Sequence, residues 1–101
     1  MKKSIWRFEL EVTDEQTVQM PEGTVPLHLG WKAGVLHLWA LVDFEAPRVE
    51  RTVRIVGTGH TIDFPLPNYG GPIDPKADFF IYCGTVIEEG TGLVWHVWIS
   101  R

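Results

Sequence analysis

The sequence has little of what most small-protein chemistry is built from. Its single cysteine, Cys83, excludes an internal disulfide and a thiolate-rich metal cluster. The only two serines, Ser4 and Ser100, lie near the ends, which leaves no serine positioned as a nucleophile. Nine basic residues are scattered without a stripe or a tail, and the formal net charge is −4, so duplex nucleic acid is a poor partner. No apolar run approaches the length of a membrane helix. Arg7, Glu9 and Glu11 interrupt the start, where an export signal would need an apolar core. A reducing cytoplasm is the compartment expected, with no membrane partner. Nowhere does an amphipathic helical period run.

What is present is alternation. Trp6, Phe8, Leu10 and Val12 alternate with Arg7, Glu9 and Glu11, a strand with one buried face. Glu15 to Met20 reads as a shorter strand, closed by a turn at Pro21-Glu22-Gly23. Val25, Leu27, Leu29 and Trp31 alternate with Pro26, His28, Gly30 and Lys32. Pro26 cannot donate to a ladder, so that strand starts there or lies at an edge. After a turn at Lys32-Ala33-Gly34, Val35 to Asp43 is apolar on both faces and reads as a central strand. Val49, Arg51, Val53 and Ile55 share a face of the next, which runs to Gly57. Phe79 to Val86 and Leu93 to Ser100 complete the set. Together they predict an all-β single domain over 1–101, a small antiparallel β-sandwich or barrel of about seven strands. Five tryptophans in 101 residues supply large buried areas to so small a core. The one long irregular stretch is the Pro/Gly loop at 65–78, with four prolines between Pro65 and Pro75, and loops of that length are usually functional or mobile.

Gly57-Thr58-Gly59-His60 is the most suggestive local motif. Two glycines let backbone amides approach a ligand, while a hydroxyl and an imidazole can bind phosphate or ribose oxygens. Arg54, just upstream, can add charge. The same four residues also make an ordinary glycine-bearing turn or bulge. Neither a Gly-Lys-Ser/Thr nor a following helix is present, so this is not a phosphate-binding or dinucleotide-binding fingerprint.

In Trp95-His96-Val97-Trp98, alternation places Leu93, Trp95, Val97 and Ile99 toward the core and Val94, His96 and Trp98 on the other face. An aromatic beside an imidazole can stack a base or fill a subunit interface; a strand covered on both sides explains it equally well. His37 and Trp39 share a face of the central strand in the same way, marking them as interface candidates. If the two strands met, all four residues would form one aromatic–imidazole surface, although plain packing accounts for them too. The four histidines show no metal-ligand spacing, so no metal and no cofactor are expected. Cys83 alternates with Phe79 and Ile81, which implies burial and an inert thiol. No catalytic residue is singled out.

Several segments carry a resemblance. They are Glu11 to Val18, Met20-Pro21-Glu22-Gly23, Leu38 to Asp43, Gly57-Thr58-Gly59-His60, Gly84-Thr85-Val86 and Gly92 to Trp98. In order and spacing the chain resembles, over nearly its whole length, a family of small uncharacterised proteins of bacteriophages and their hosts, described as a domain of unknown function. It departs from that pattern in having Trp98 where the family closes on Phe, and in a longer loop after Pro65. The resemblance implies a phage setting and no defined activity. In that setting the first expectation is a counter-defence protein, a homo-oligomer that sequesters a small nucleotide-derived signal. Gly57 to His60 would cradle the polar part, Arg54 would pair charge, and Tyr69, His96 and Trp98 would stack or close over the ligand. A protein–protein inhibitor of a host defence complex is the second expectation, and a small histidine-dependent hydrolase the third.

Overall fold

The computed structural model describes residues 2–66 and 79–101. Among them are seven strands and no helix: β1 (Lys3–Leu10), β2 (Glu15–Pro21), β3 (Val25–Lys32), β4 (Val35–Asp43), β5 (Arg48–Gly57), β6 (Phe80–Ile87) and β7 (Val94–Ser100). They form two antiparallel sheets, ordered β1-β4-β3 and β2-β5-β7-β6, packed as a sandwich. The doubly apolar segment Val35–Asp43 is indeed the central strand of its sheet.

The core lies between the sheets, where period two delivers one side chain in every pair. Leu10, Leu29, Leu36 and Leu38 from the first sheet meet Met20, Val53, Ile55, Val86, Val97 and Ile99 from the second. Each such burial contributes roughly 1.5–3 kcal/mol against the entropy of ordering the chain. Two expected core residues lie beyond the strand ends: Val12 follows β1, and Leu93 precedes β7 and is exposed.

Two bulges reset the alternation. In β3 the register shifts between Pro26 and His28, so Val25 stands opposite Leu41 while Leu29 stands opposite Leu38. The single inward face expected for Val25, Leu27, Leu29 and Trp31 is therefore broken. Val25 and Leu27 are half exposed, at 50% and 51%, and only Leu29 and Trp31 join the core. In β6 the shift falls between Tyr82 and Gly84, where Gly84 takes φ 148°, a conformation that favours glycine. A Cβ there would sit 3.3 Å from Leu29 Cδ1, so the missing side chain also lets β3 and β6 close one side of the sandwich. At the opposite side the β1 and β2 backbones stay more than 8 Å apart between Cα atoms.

Arg51 points inward with Val53, as its parity requires. Its guanidinium donates to the Ser100 carbonyl at 2.8 Å and the Thr24 carbonyl at 2.6 Å, tying β5 to the end of β7 and to the β2–β3 turn. Burial holds its pKa below the usual value. Burial pushes the Cys83 thiol up to about 12, outweighing the charge of Arg51, which acts in the opposite sense. A thiol held protonated in this way is a poor nucleophile even with a basic side chain nearby.

Candidate functional site

The outer face of the four-stranded sheet carries the site. At the end of β5 the chain turns, with the His60 amide donating to the Gly57 carbonyl at 3.1 Å. Gly59 takes φ 86°, the left-handed value required at the third position of such a turn. The His60 ring folds back over Gly57, where a Cβ would meet Cε1 at 3.0 Å. Both glycines thus have a local structural reason. Among the described residues, the Thr58 and Gly59 amides at the turn's tip have no acceptor.

Next to this turn, register pairs His96 with Val56 on one side and with Thr85 on the other. Thr58 Oγ1 lies 2.7 Å from His96 Nε2, and Thr85 Oγ1 lies 2.9 Å from Nδ1. Thr85 Oγ1 also bonds the Tyr82 hydroxyl. The result is a chain of polar groups, Thr58–His96–Thr85–Tyr82, running across three strands. In a neutral imidazole one nitrogen donates and the other accepts, so the chain has two proton arrangements. In one, the Thr58 hydroxyl is left free to donate to a ligand. In the other it is left with acceptor capacity. The β6 bulge makes this possible, because Tyr82 and Thr85 are three residues apart and would otherwise face opposite ways.

Trp98 continues the same face and is nearly buried, at 8% exposure. Tyr82 packs against it at 4.9 Å between ring centroids, and Phe64 meets it edge-on at 6.0 Å. Val56, Gly57, Thr58, Gly59, His60, Ile62, Tyr82, His96 and Trp98 enclose a cleft of roughly 360 Å³. That lies within the usual range of small-molecule sites, about 300–1,000 Å³. A second cleft of roughly 350 Å³ shares Gly57, Thr58 and His60 and continues to Leu93, Val94 and Trp95. The turn is therefore a ridge between two hollows. Among the described residues, no lysine or arginine lines either one.

Of the residues expected to bind ligand, the fold brings Gly57, Thr58, Gly59, His60, His96 and Trp98 together around one cleft. Tyr69 lies outside the described residues, as do most of the 65–78 loop positions. Arg54 has a different place. Its guanidinium pairs with Asp63 at 2.7 Å, donates to the Asp14 carbonyl at 3.0 Å and sits 4.8 Å from the centre of the Phe64 ring. It pins residues 63–64 beside Trp98 and is not among the cleft's lining residues, so the structure places it apart from the six that gather there.

His37 and Trp39 do not join His96 and Trp98. β4 and β7 belong to different sheets, and each His-x-Trp triplet turns its middle residue, Leu38 or Val97, into the shared core. The two pairs therefore occupy opposite outer faces, and no single four-residue surface forms within the chain. Tyr82, Thr85, Val56 and Ile62 are site residues the motifs did not reveal. A glycine inside a strand, Gly84, was the available signal for the first two. Among the described residues, no group of three or more metal-ligating side chains is placed to hold a metal, and no helix is long and apolar enough to cross a membrane.

Fold and site together define a class: an all-β sandwich with an aromatic, imidazole-bearing cleft of ligand size on one outer face. The chain belongs to the family described as Domain of unknown function (DUF7352), whose family model matches residues 1–101. None of the curated proteins and none of the solved structures matches it.

Proposed function

We propose that the chain is a non-catalytic binding protein that takes the planar ring of a small nucleotide-derived ligand in the cleft beside the Gly57–His60 turn. The observation that carries this reading is the lining itself. An indole and a phenol form one wall, and the hydroxyl–imidazole chain ends at Thr58 on the other. Such a site can stack a heterocycle and read one polar edge of it. With Arg54 engaged by Asp63 and, among the described residues, no cation in the lining, recognition in this reading rests on the ring and not on a phosphate. Any phosphate would lie over the turn, where the Thr58 and Gly59 amides can donate. At His96 threonine hydroxyls occupy both nitrogens, and among the described residues no carboxylate is bonded to the imidazole, which favours binding over hydrolysis. In the phage setting that the family resemblance implies, sequestration of a nucleotide immune signal in a homo-oligomer is the corresponding role.

Thermal unfolding against nucleosides, nucleotides, cyclic dinucleotides and ADP-ribose tests this directly. A ligand present at a hundred times its Kd stabilises by about 2.7 kcal/mol. Nucleosides are expected to shift Tm about as well as their phosphates do, and Thr58→Val to reduce the shift. A Tm unmoved by any of these compounds would sink the reading. The alternative of a host-protein inhibitor draws on a separate observation. Ile5, Val25 and Leu27 are exposed on the three-stranded sheet, and a pull-down with variants of these three residues would reveal it.

A further inference from the structure

A sheet edge presents unpaired amides and carbonyls to any chain that can align with it, so each of the four edges here needs a reason not to pair. Three have one. β3 carries Pro26 and a bulge, and lies against β6. β6 carries its own bulge at the same junction. β2 ends on Pro21, and its start is held by the Gln16 side chain, which bonds both the amide and the carbonyl of Glu11, at 3.0 and 2.6 Å. β1, from Lys3 to Leu10, has neither proline nor bulge. Among the described residues, its edge away from β4 has no partner.

We propose that this edge is a homodimer interface, two copies pairing antiparallel through β1 about a twofold axis into a continuous sheet β3-β4-β1-β1-β4-β3. Charge fixes the register. Lys3, Ile5, Arg7 and Glu9 face outward along β1. Centring the axis on Phe8 sets Arg7 of each copy opposite Glu9 of the other, two complementary cross-strand pairs. Moving the centre one residue either way sets Arg7 against Arg7 or Glu9 against Glu9. Within one chain, Glu9 already stands opposite His37, with its carboxylate 3.8 Å from Nε2, and Arg7 stands opposite Trp39. Pairing therefore completes a row across the sheet: His37, Glu9, then Arg7 and Trp39 of the second copy. The Glu9 side chain, 68% exposed beside a histidine that is 5% exposed, gains a guanidinium on its open side. On the inner side Phe8 meets Phe8, and Trp6 meets Leu10, covering aromatics that a lone chain leaves half-buried. His37 and Trp39 then belong to the interface from one strand behind it.

This proposal does not depend on the ligand. Sedimentation or light scattering across a concentration series is expected to show a dimer. Arg7→Glu and Glu9→Arg should each weaken it at least tenfold, and the two changes in one chain should restore it, since the pairs are merely exchanged. Circular dichroism of the exposed-site variants checks that each still folds. A chain that stays monomeric at every concentration overturns the proposal. So does a dimer indifferent to Arg7→Glu, or an edge that captures only a different protein.

Discussion

His37-Leu38-Trp39 and His96-Val97-Trp98 are the same pattern on interior strands of the two sheets, and they end in different chemistry. Their cross-strand neighbours make the difference. His37 stands between Glu9 and Gly30, and Trp39 between Arg7 and His28. With a glycine alongside, Trp39 lies flat: a Cβ on Gly30 would sit 3.0 Å from its ring. The indole packs between His28 and His37 at centroid distances of 5.9 and 5.6 Å. His37 ends up buried, with Nδ1 lacking a hydrogen-bond partner among the described residues. His96, by contrast, stands between Val56 and Thr85, and the turn supplies Thr58. Small hydroxyls satisfy both nitrogens beside a hollow, where the Trp39 indole instead covers the space over Gly30. The same His-x-Trp pattern becomes a stacked layer or a cleft according to what the adjacent strands place beside it.

The largest effect should come from the tryptophans themselves. Trp98→Ala removes a nearly buried indole that contacts Phe64 and Tyr82 and is expected to cost about 3–5 kcal/mol. Trp39 is half-buried, so Trp39→Ala should cost clearly less. Urea denaturation of both variants measures the difference. Equal losses would mean that the two faces are alike in packing.

The turn gives the next effect and separates structure from binding within the cleft. Gly59 has φ 86°, so Gly59→Ala should destabilise by roughly 1–2 kcal/mol through backbone strain alone. Gly57 has no such φ, but its added Cβ would displace the His60 ring from 3.0 Å away. Gly57→Ala should therefore spare most of the stability and still diminish nucleoside binding, as read by the thermal shift. If it left binding intact, His60 would be a turn residue and nothing more.

The strands were legible because alternation and turn residues are local. Six emerge within a residue of their observed bounds, the first begins earlier and ends before Val12, and the inward parity of Val97 and Ile99 follows from alternation alone. What was not legible is what an extra residue does to parity. At Leu27 and at Cys83 one residue fits between paired neighbours, and everything beyond it changes face. Tyr82 and Thr85 were missed for that reason. Sheet membership was equally hidden, because it depends on pairings such as β1 with β4 that are remote in sequence. The ion pair of Arg54 is hidden in the same way, because its anion, Asp63, sits in an irregular segment that periodicity does not describe.

A smaller effect sharpens the comparison at the level of single hydrogen bonds. Thr85→Val keeps the shape of the side chain and removes the hydroxyl that links His96 to Tyr82. The expected cost is about 0.5–1.5 kcal/mol. On the other face, Glu9→Gln touches a largely exposed carboxylate 3.8 Å from His37 and should cost ~0–1 kcal/mol in a monomeric chain. Should Glu9→Gln prove the costlier change in urea denaturation, the His37 cluster would be the electrostatically organised one, reversing the assignment.

The bulge that builds the cleft side leaves one more trace, silent at neutral pH. Cys83 is the extra residue of β6, and burial pushes its thiol up to about 12 from an ordinary 9.0, with Arg51 opposing by a smaller amount. Between those values the unfolded chain has lost a proton that the folded chain still holds. Stability contributed by the neutral thiol is therefore complete below pH 9 and declines as pH rises toward 12. Cys83→Ala should flatten that alkaline decline, at a cost that does not vary with pH. Labelling with a disulfide reagent gives the same answer kinetically, since a thiol kept protonated reacts only when the strand opens. Its rate in the native protein should follow added denaturant. A fast reaction in buffer would show that the β6 bulge is open at rest, and the fixed placing of Tyr82 and Thr85 beside His96 would fail with it.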